Sequence, residues 1–438
     1  MRILHYFLGF HRQGGLNRYA ADLAVAQAEA GDEVSMLYPS GSLLPQRFAR
    51  IHRKRRHCGV RCFSLTGGRI VPLLEGIRDP QMILDPPRIL SMRSITKFWE
   101  AIRPDVLHIH TWMGFPEEIL PVAKANGTKI VYTTHDYFGL CPTVNRLKED
   151  GSICRYGSDQ ACSMCNRHAP GERYLELRNA DTLIRLKSLL LPLKKLLHRN
   201  DGAAVKEDAE NAVECKPYGV LREHYRDLFR QCDKLHFNSP VTRAVFEAAL
   251  PGIKGEVLAI THGGIADRRP AAADVHDPVR LAFFGPAKPY KGLPMLLAVL
   301  QKLPTEGLRQ WRLDIYGCDG ENYGSVFYHG FFTGAEEWTI LENTDLLIVP
   351  SICDETFGFV VEEALCAGVP VLCSDKVGAK MLVDGEWVFS GEKGLEKKMK
   401  DLLMNPAILW QEKRKQREEK RFSTIAEHVL AINDFYHV

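Results

Sequence analysis

The chain has 438 residues, of which 45% are hydrophobic and 25% charged, with a formal net charge of +3. That length exceeds one ordinary core and suggests two domains, while the near-neutral balance lacks the basic excess of a nucleic-acid binder, so no nucleic acid is expected. No apolar run reaches a membrane span, the opening Met1–Leu8 reads as a buried strand and not as an export signal, and twelve cysteines in such a chain read as reduced thiols in the cytoplasm.

Short apolar runs alternate with helical patterns, as in parallel βαβ units. Arg2–Leu8 reads as a strand, followed by a loop with Gly14 and Gly15, a helix over Leu16–Ala30 and a strand over Glu33–Tyr38. Arg47–Arg103 reads as mostly irregular. Then come a strand over Asp105–His110, a helix over Pro116–Asn126 and a strand over Lys129–Thr134. An insertion occupies about 142–231, with Glu207–Tyr218 polar enough to be a mobile loop. The Ala-, Pro- and Asp-rich stretch Ala266–Pro278 reads as a linker. The second series places strands over Arg280–Phe284, Arg312–Tyr316, Asp345–Pro350 and Pro370–Ser374, with helices over Gly292–Leu303 and Gly358–Ala367. The expected domains are therefore 1–265 and 279–415, followed by a terminal segment, 416–438. Two doubly wound units place ligands at the carboxyl ends of their strands.

The strongest chemical signal is Asp354-Glu355-Thr356-Phe357-Gly358-Phe359-Val360-Val361-Glu362-Glu363-Ala364, lying between a strand and a helix. Gly358 permits a tight turn and close approach, and the first-turn amides beyond it suit a diphosphate. Glu355 and Glu363 can each accept from vicinal hydroxyls, as ribose or a hexose offers. The alternative is an ordinary loop and helix with Glu362 and Glu363 on its solvated face. Upstream, Phe283–Gly292 runs strand, cation-bearing loop, helix, with Lys291 at a helix start.

These residues, together with Ala367-Gly368-Val369-Pro370-Val371, resemble the paired-glutamate motif of the retaining family 4 glycosyltransferases (glycosyl transferases group 1), of bacterial polysaccharide-biosynthesis type. The resemblance implies the GT-B fold, two Rossmann-like α/β domains facing a central cleft. It also implies a hexose moved from a UDP- or GDP-sugar to a glycan or lipid-linked acceptor. On the matching positions, Glu363 contacts the nucleotide ribose and Glu355 lies by the donor sugar. Thr356, Phe357 and Gly358 meet sugar or phosphate, and Lys291 neutralises the pyrophosphate. Pro286 stands where the family has an arginine, and Lys288 is the nearby cation. Tyr316-Gly317 and Tyr328-His329-Gly330-Phe331 resemble the base-binding region, with a shorter connection than usual.

In the first half, Gly14 and Gly15 resemble the family's glycine-rich loop, and His135, closing a strand, matches the histidine near the transferred sugar. His110 is expected to be structural. Arg18 reads equally as an anion contact or a surface ion pair. The resemblance implies front-face attack with retention, catalysed by Glu355, His135 and Lys291, with no catalytic metal. The terminal helix Ile425–Tyr436 resembles the one that crosses back onto the first domain.

Cys141, Cys154, Cys162 and Cys165 suit either a structural zinc or four independent thiols. Residues 183–199 interleave leucines with Arg185, Lys187, Lys194 and Lys195. They read as a basic amphipathic helix, for a peripheral membrane contact at the inner face or for packing on the first domain. Two alternatives to the transferase remain: a sugar-nucleotide epimerase of the same fold, and an inactive sugar-nucleotide-binding scaffold.

Overall fold

The computed structural model describes residues 1–148, 150–155, 157–184, 186, 213–270, 274–303, 308 and 310–437. The chain divides into two compact units. One holds Met1–His236, Ala249–Gly255 and the residues from Asn433 on; the other holds Phe237–Ala248 and Glu256–Ile432.

The first sheet has eight strands: β1 (Arg2–Tyr6), β2 (Glu33–Ser40), β3 (Arg50–Arg53), β4 (Arg61–Thr66), β5 (Val106–Ile109), β6 (Lys129–Thr133), β7 (Lys234–Phe237) and β8 (Gly255–Val257). Their order is β3-β4-β2-β1-β5-β6-β7-β8. β1 pairs in parallel with both β2 and β5, and β3 is antiparallel to β4. The chain therefore switches direction across the sheet between β1 and β5, the place where doubly wound folds open a crevice.

The second sheet is β9 (Val279–Phe284), β10 (Trp311–Tyr316), β11 (Val326–Tyr328), β12 (Leu346–Val349), β13 (Val371–Ser374) and β14 (Val388–Phe389). Its order is β11-β10-β9-β12-β13-β14, with every pair parallel. Here the switch lies between β9 and β12. Strands such as Leu346-Leu347-Ile348-Val349 are apolar throughout because helices cover both faces. Leu281, Leu313, Ile315 and Ile348 meet Leu296, Val299, Leu395 and Met399 in one buried cluster. Each fully buried aliphatic side chain contributes about 1.5–3 kcal/mol.

Two departures from the sequence reading matter. Arg47–Arg103 is not irregular throughout: it holds β3, β4 and the helix Met92–Ile102. That helix buries Ile95, Phe98, Trp99 and Ile102 on one stripe and is capped by Ser91, whose side chain accepts from the Ser94 amide. Within the insertion, Tyr218 is not loop: it starts the helix Tyr218–Arg230 and is buried with Leu221, Tyr225, Leu228 and Phe229. Of the rest of the expected mobile loop, 213–217 form neither helix nor strand and 207–212 lie outside the described residues.

Candidate functional site

In the second unit, the loops after β9 and β12 flank the switch point. Gly292 has φ 79°, and a Cβ there would stand 1.8 Å from the Pro350 carbonyl oxygen. Only glycine lets the two loops close up. The Ile352 amide donates to the Tyr290 carbonyl at 2.9 Å, locking one loop to the other.

This closure brings Lys291 to Glu355. Their Nζ–Oε1 distance is 2.6 Å, and the side chains are 25% and 14% exposed. Ser351 donates its hydroxyl to the second carboxylate oxygen of Glu355, and Ser374 holds the Ser351 carbonyl at 2.6 Å. Burial alone would push Lys291 down and Glu355 up. The mutual charge and hydrogen bond outweigh it, so Lys291 is raised and Glu355, helped by Ser351, is lowered. Both stay charged through neutral pH.

Glu355 leads directly to the helix Phe359–Cys366, entered through Gly358 at φ 97°. The Gly378 and Ala379 amides bond the carbonyls of Glu355 and Phe357, and Ser239 donates to the Thr356 carbonyl at 2.6 Å. The loop Glu355–Gly358 is thus tied down at successive residues, and the helix beyond it offers first-turn amides.

Glu363 is not on a solvated face: Glu362 and Glu363 are both buried. His262 Nε2 lies 3.0 Å from a Glu363 carboxylate oxygen, and the Gly264 amide donates to His262 Nδ1 at 3.0 Å. Since Nδ1 accepts, the neutral ring carries its proton on Nε2 and donates it to Glu363. The carboxylate is aimed before any ligand arrives.

At the ends of β9 to β11, Tyr316 and His329 stack with centroids 4.6 Å apart, and Phe284 packs edge-on to Tyr316 at 5.5 Å. His329 Nε2 is 2.6 Å from Asp314. Phe331 is 69% exposed. Lys288, the cation near Pro286, forms no ion pair among the described residues.

In the first unit, Gly14 has φ 110° and ψ 155° and begins the helix Gly15–Glu29, a backbone region that glycine alone adopts readily. The Gly14 carbonyl accepts from the Arg18 amide at 3.0 Å. His135 is buried beyond β6 and belongs to a hydrogen-bonded chain whose direction is fixed from Asp32. The Asp32 carboxylate accepts from Asn433 Nδ2 at 3.1 Å, leaving Asn433 Oδ1 to accept from Gln27 Nε2 at 2.9 Å. Gln27 Oε1 therefore faces His5 Nε2 at 2.8 Å, which must carry the proton. His5 Nδ1 then accepts from His110 Nε2 at 3.0 Å, and His110 Nδ1 accepts from His135 Nε2 at 3.0 Å. Burial pushes His5 down to about 4 and lowers His110 and His135 strongly, with neighbouring imidazoles adding to the effect on those two. All three rings are neutral, and His135 presents Nδ1 as an acceptor.

Among the described residues, His5, His108 and His110 form one trio whose ligand atoms lie within 4.8 Å of one another, and Asp384, Glu386 and Glu412 form another. The histidine nitrogens are already used, with His108 bonded to Tyr436 and Thr133. Asp384 and Glu412 pair with Arg421. The four cysteines do not form so close a group among the described residues, although Cys141, Cys154 and Cys165 all act on the Cys162 thiol. Cys162 Sγ instead lies 3.1 Å from Arg222, and Cys141 Sγ lies 3.3 Å from the Thr143 hydroxyl. Burial raises the Cys162 thiol to about 11, against the opposing charge of Arg222, so it stays protonated. Most of the basic segment 183–199 lies outside the described residues. No described helix is long and apolar enough to cross a membrane.

His262, Ser351, Ser374 and Ser239 were not anticipated from sequence. Only Ser351 lies near the motif it serves, four residues before Glu355.

The architecture is that of GT-B glycosyltransferases. Similar structures include sucrose-phosphate synthase from Thermosynechococcus elongatus (TM-score 0.56, 14% identity, 99% of this chain and 98% of that one). HepE of Anabaena in complex with UDP and glucose gives a TM-score of 0.54 at 14% identity, over 100% of this chain and 99% of that one. An α,α-trehalose-phosphate synthase from Burkholderia xenovorans, with glucose-6-phosphate, gives 0.53 at 11% identity over 100% of both chains. No curated protein matches the sequence. The model for glycosyltransferase family 4 matches residues 13–160, and that for glycosyl transferases group 1 matches residues 266–422. The chain is a glycosyltransferase of the family 4 type.

Proposed function

We propose that the chain transfers a hexose from a nucleoside diphosphate sugar to a glycan or lipid-linked acceptor. Transfer retains the anomeric configuration, needs no catalytic metal, and serves assembly of an exopolysaccharide or lipopolysaccharide at the cytoplasmic face of the membrane. The observation that carries this reading is the Lys291–Glu355 pair, held at the strand-order switch beside the helix entered through Gly358. Lys291 and the amides from Thr356 to Gly358 take the pyrophosphate, Glu363 the ribose hydroxyls, and Glu355 the hexose hydroxyls. His135 is assigned to the transferred sugar, and Gly14 and Gly15 to close approach of the pyrophosphate.

The bond from the anomeric carbon to the phosphate oxygen breaks, and the acceptor oxygen bonds that carbon on the same face. The acceptor proton passes to the departing phosphate. Such a reaction depends on placement and on stabilising leaving-group charge, which a fixed ammonium and backbone amides supply. HepE, solved with UDP and glucose, makes UDP-glucose the first donor to try.

The test is incubation with UDP- and GDP-hexoses and a membrane extract as acceptor, reading nucleoside diphosphate release and the anomeric configuration of the product. Acceptor-dependent release with retention is expected. Release of free, epimerised sugar without acceptor, or an inverted product, would contradict the proposal.

A further inference from the structure

The first unit contains a cavity of about 410 Å³ lined by Arg12, Lys54, Arg55, Arg56, His57 and Asp181, among others. That is the size of small-molecule sites. Its charge is one-sided. Between residues 34 and 74 the chain carries eight Lys or Arg and neither Asp nor Glu. Arg61 and Arg69 are neutralised by Glu33 and by Glu117 and Glu118. Arg53, Lys54, Arg55 and Arg56 have no ion pair among the described residues. β3 and its turn into β4 hold these cations on the outermost, antiparallel strand, with the Lys54 amide bonded to the Cys62 carbonyl at 2.8 Å.

Arg12 supplies a fixed anchor. Its Nε donates to the Leu8 carbonyl at 3.1 Å and one terminal nitrogen donates to Asn179 Oδ1 at 2.7 Å. Asn179 cannot flip away, because its Nδ2 donates to the carbonyls of Val71 and Leu175. Arg12 thus sits half-buried with no carboxylate within ion-pair distance among the described residues, and burial, with Arg178 nearby, pushes it down to about 10 despite the pull of Asp181. It remains charged at neutral pH with donors to spare. A guanidinium fixed in this way, facing further unneutralised cations across a concave wall, is an anion site. The rings of Phe10 and His57, tilted to each other with centroids 4.1 Å apart, close one side. Asp181, held by the Tyr38 hydroxyl at 3.0 Å, offers the cavity's carboxylate to a ligand hydroxyl.

We infer that this cavity binds a phosphate monoester borne on a hydroxylated carrier, with Arg12 and Lys54–Arg56 on the phosphate and Asp181 on a hydroxyl. It goes beyond the donor-site reading and does not rest on it. The same chemistry reaches the protein either as a soluble phosphate ester or as a lipid headgroup. Leu44 and Phe48, exposed beside the basic strand, would favour the lipid source.

The experiment titrates the full chain calorimetrically with sn-glycerol 3-phosphate. In parallel it sediments the chain with phosphatidylcholine vesicles, with and without phosphatidic acid. Comparison variants are Arg12→Gln and the triple Lys54→Ser, Arg55→Ser, Arg56→Ser. Saturable binding weakened at least tenfold by both variants supports the proposal with a soluble source. Sedimentation only with phosphatidic acid vesicles, lost in both variants, supports it with a bilayer source. No saturable binding in either arm overturns it, as does binding that both variants retain and Lys291→Ala abolishes. A circular-dichroism melt of each variant checks that the chain is folded. Phosphate binding without binding of any UDP-, GDP-, ADP- or dTDP-sugar would leave this inference standing and remove the donor-site reading alone.

Discussion

At the scale of single residues, charge and proton placement dominate. Removing Lys291 leaves the Glu355 carboxylate in a partly buried place with only Ser351 as a side-chain donor among the described residues. Lys291→Ala should therefore cost about 1–3 kcal/mol of stability, less than for a fully buried pair. It should also weaken nucleotide-sugar binding by about 10–100-fold, because a charge-assisted bond to phosphate is lost. Thermal melts and calorimetry separate the two effects.

The histidine chain makes two further expectations. Long-range proton–nitrogen correlation spectra should show His5, His110 and His135 all protonated on Nε2 alone; a protonated Nδ1 on any of them would break the chain of inference from Asp32. Their folded pKa values lie below the ordinary 6.5. Below pH 6.5 the unfolded chain takes up protons that the folded chain refuses, so stability falls with acid. Each ring costs about 1.4 kcal/mol between pH 7.5 and 5.5, about 4 kcal/mol for three. Asp136 acts in the opposite direction. Burial pushes it up to about 6 against a hydrogen bond from the Phe138 amide, which returns about 0.7 kcal/mol by pH 5.5. The histidines win, and urea melts at pH 7.5 and 5.5 should show a net loss; a flat profile would contradict the neutral-ring assignment.

At the scale of elements, backbone closure decides whether the site forms. Gly292→Ala places a methyl 1.8 Å from the Pro350 carbonyl oxygen at φ 79°. It should cost at least about 2 kcal/mol and weaken donor binding, since the β9 and β12 loops must part. An unchanged melt would show that the loops are not pressed together. The same scale explains what was legible. β9, β12 and β13 are buried almost throughout, so they read as largely apolar runs, and the loops after β9 and β12 follow with Lys291, Glu355 and Gly358 in plain view. β3 was invisible because Arg50-Ile51-His52-Arg53 is an exposed edge strand with no apolar period. His5 looked like any buried strand residue, and its partners Gln27 and His110 lie 22 and 105 positions away. Cys141, Cys154 and Cys165 all act on the Cys162 thiol, so the fold gathers four thiols whose spacing along the chain left zinc and independent thiols equally open.

At the scale of the whole molecule, both family models and full-length fold similarity describe a glycosyltransferase of GT-B architecture. The donor site is assigned to the unit whose β9–β12 switch holds Lys291, Glu355 and Glu363. A ligand bound there stabilises the chain by about 2.7 kcal/mol at a hundred times its Kd, so donor selectivity is readable even before an acceptor is known. The most direct measurement is calorimetric titration with UDP-, GDP-, ADP- and dTDP-sugars, beside Glu363→Ala. Selective binding of one nucleotide, weakened at least tenfold in the variant, is the predicted result. Absence of binding across the panel by folded protein, or equal binding by Glu363→Ala, would contradict the assignment.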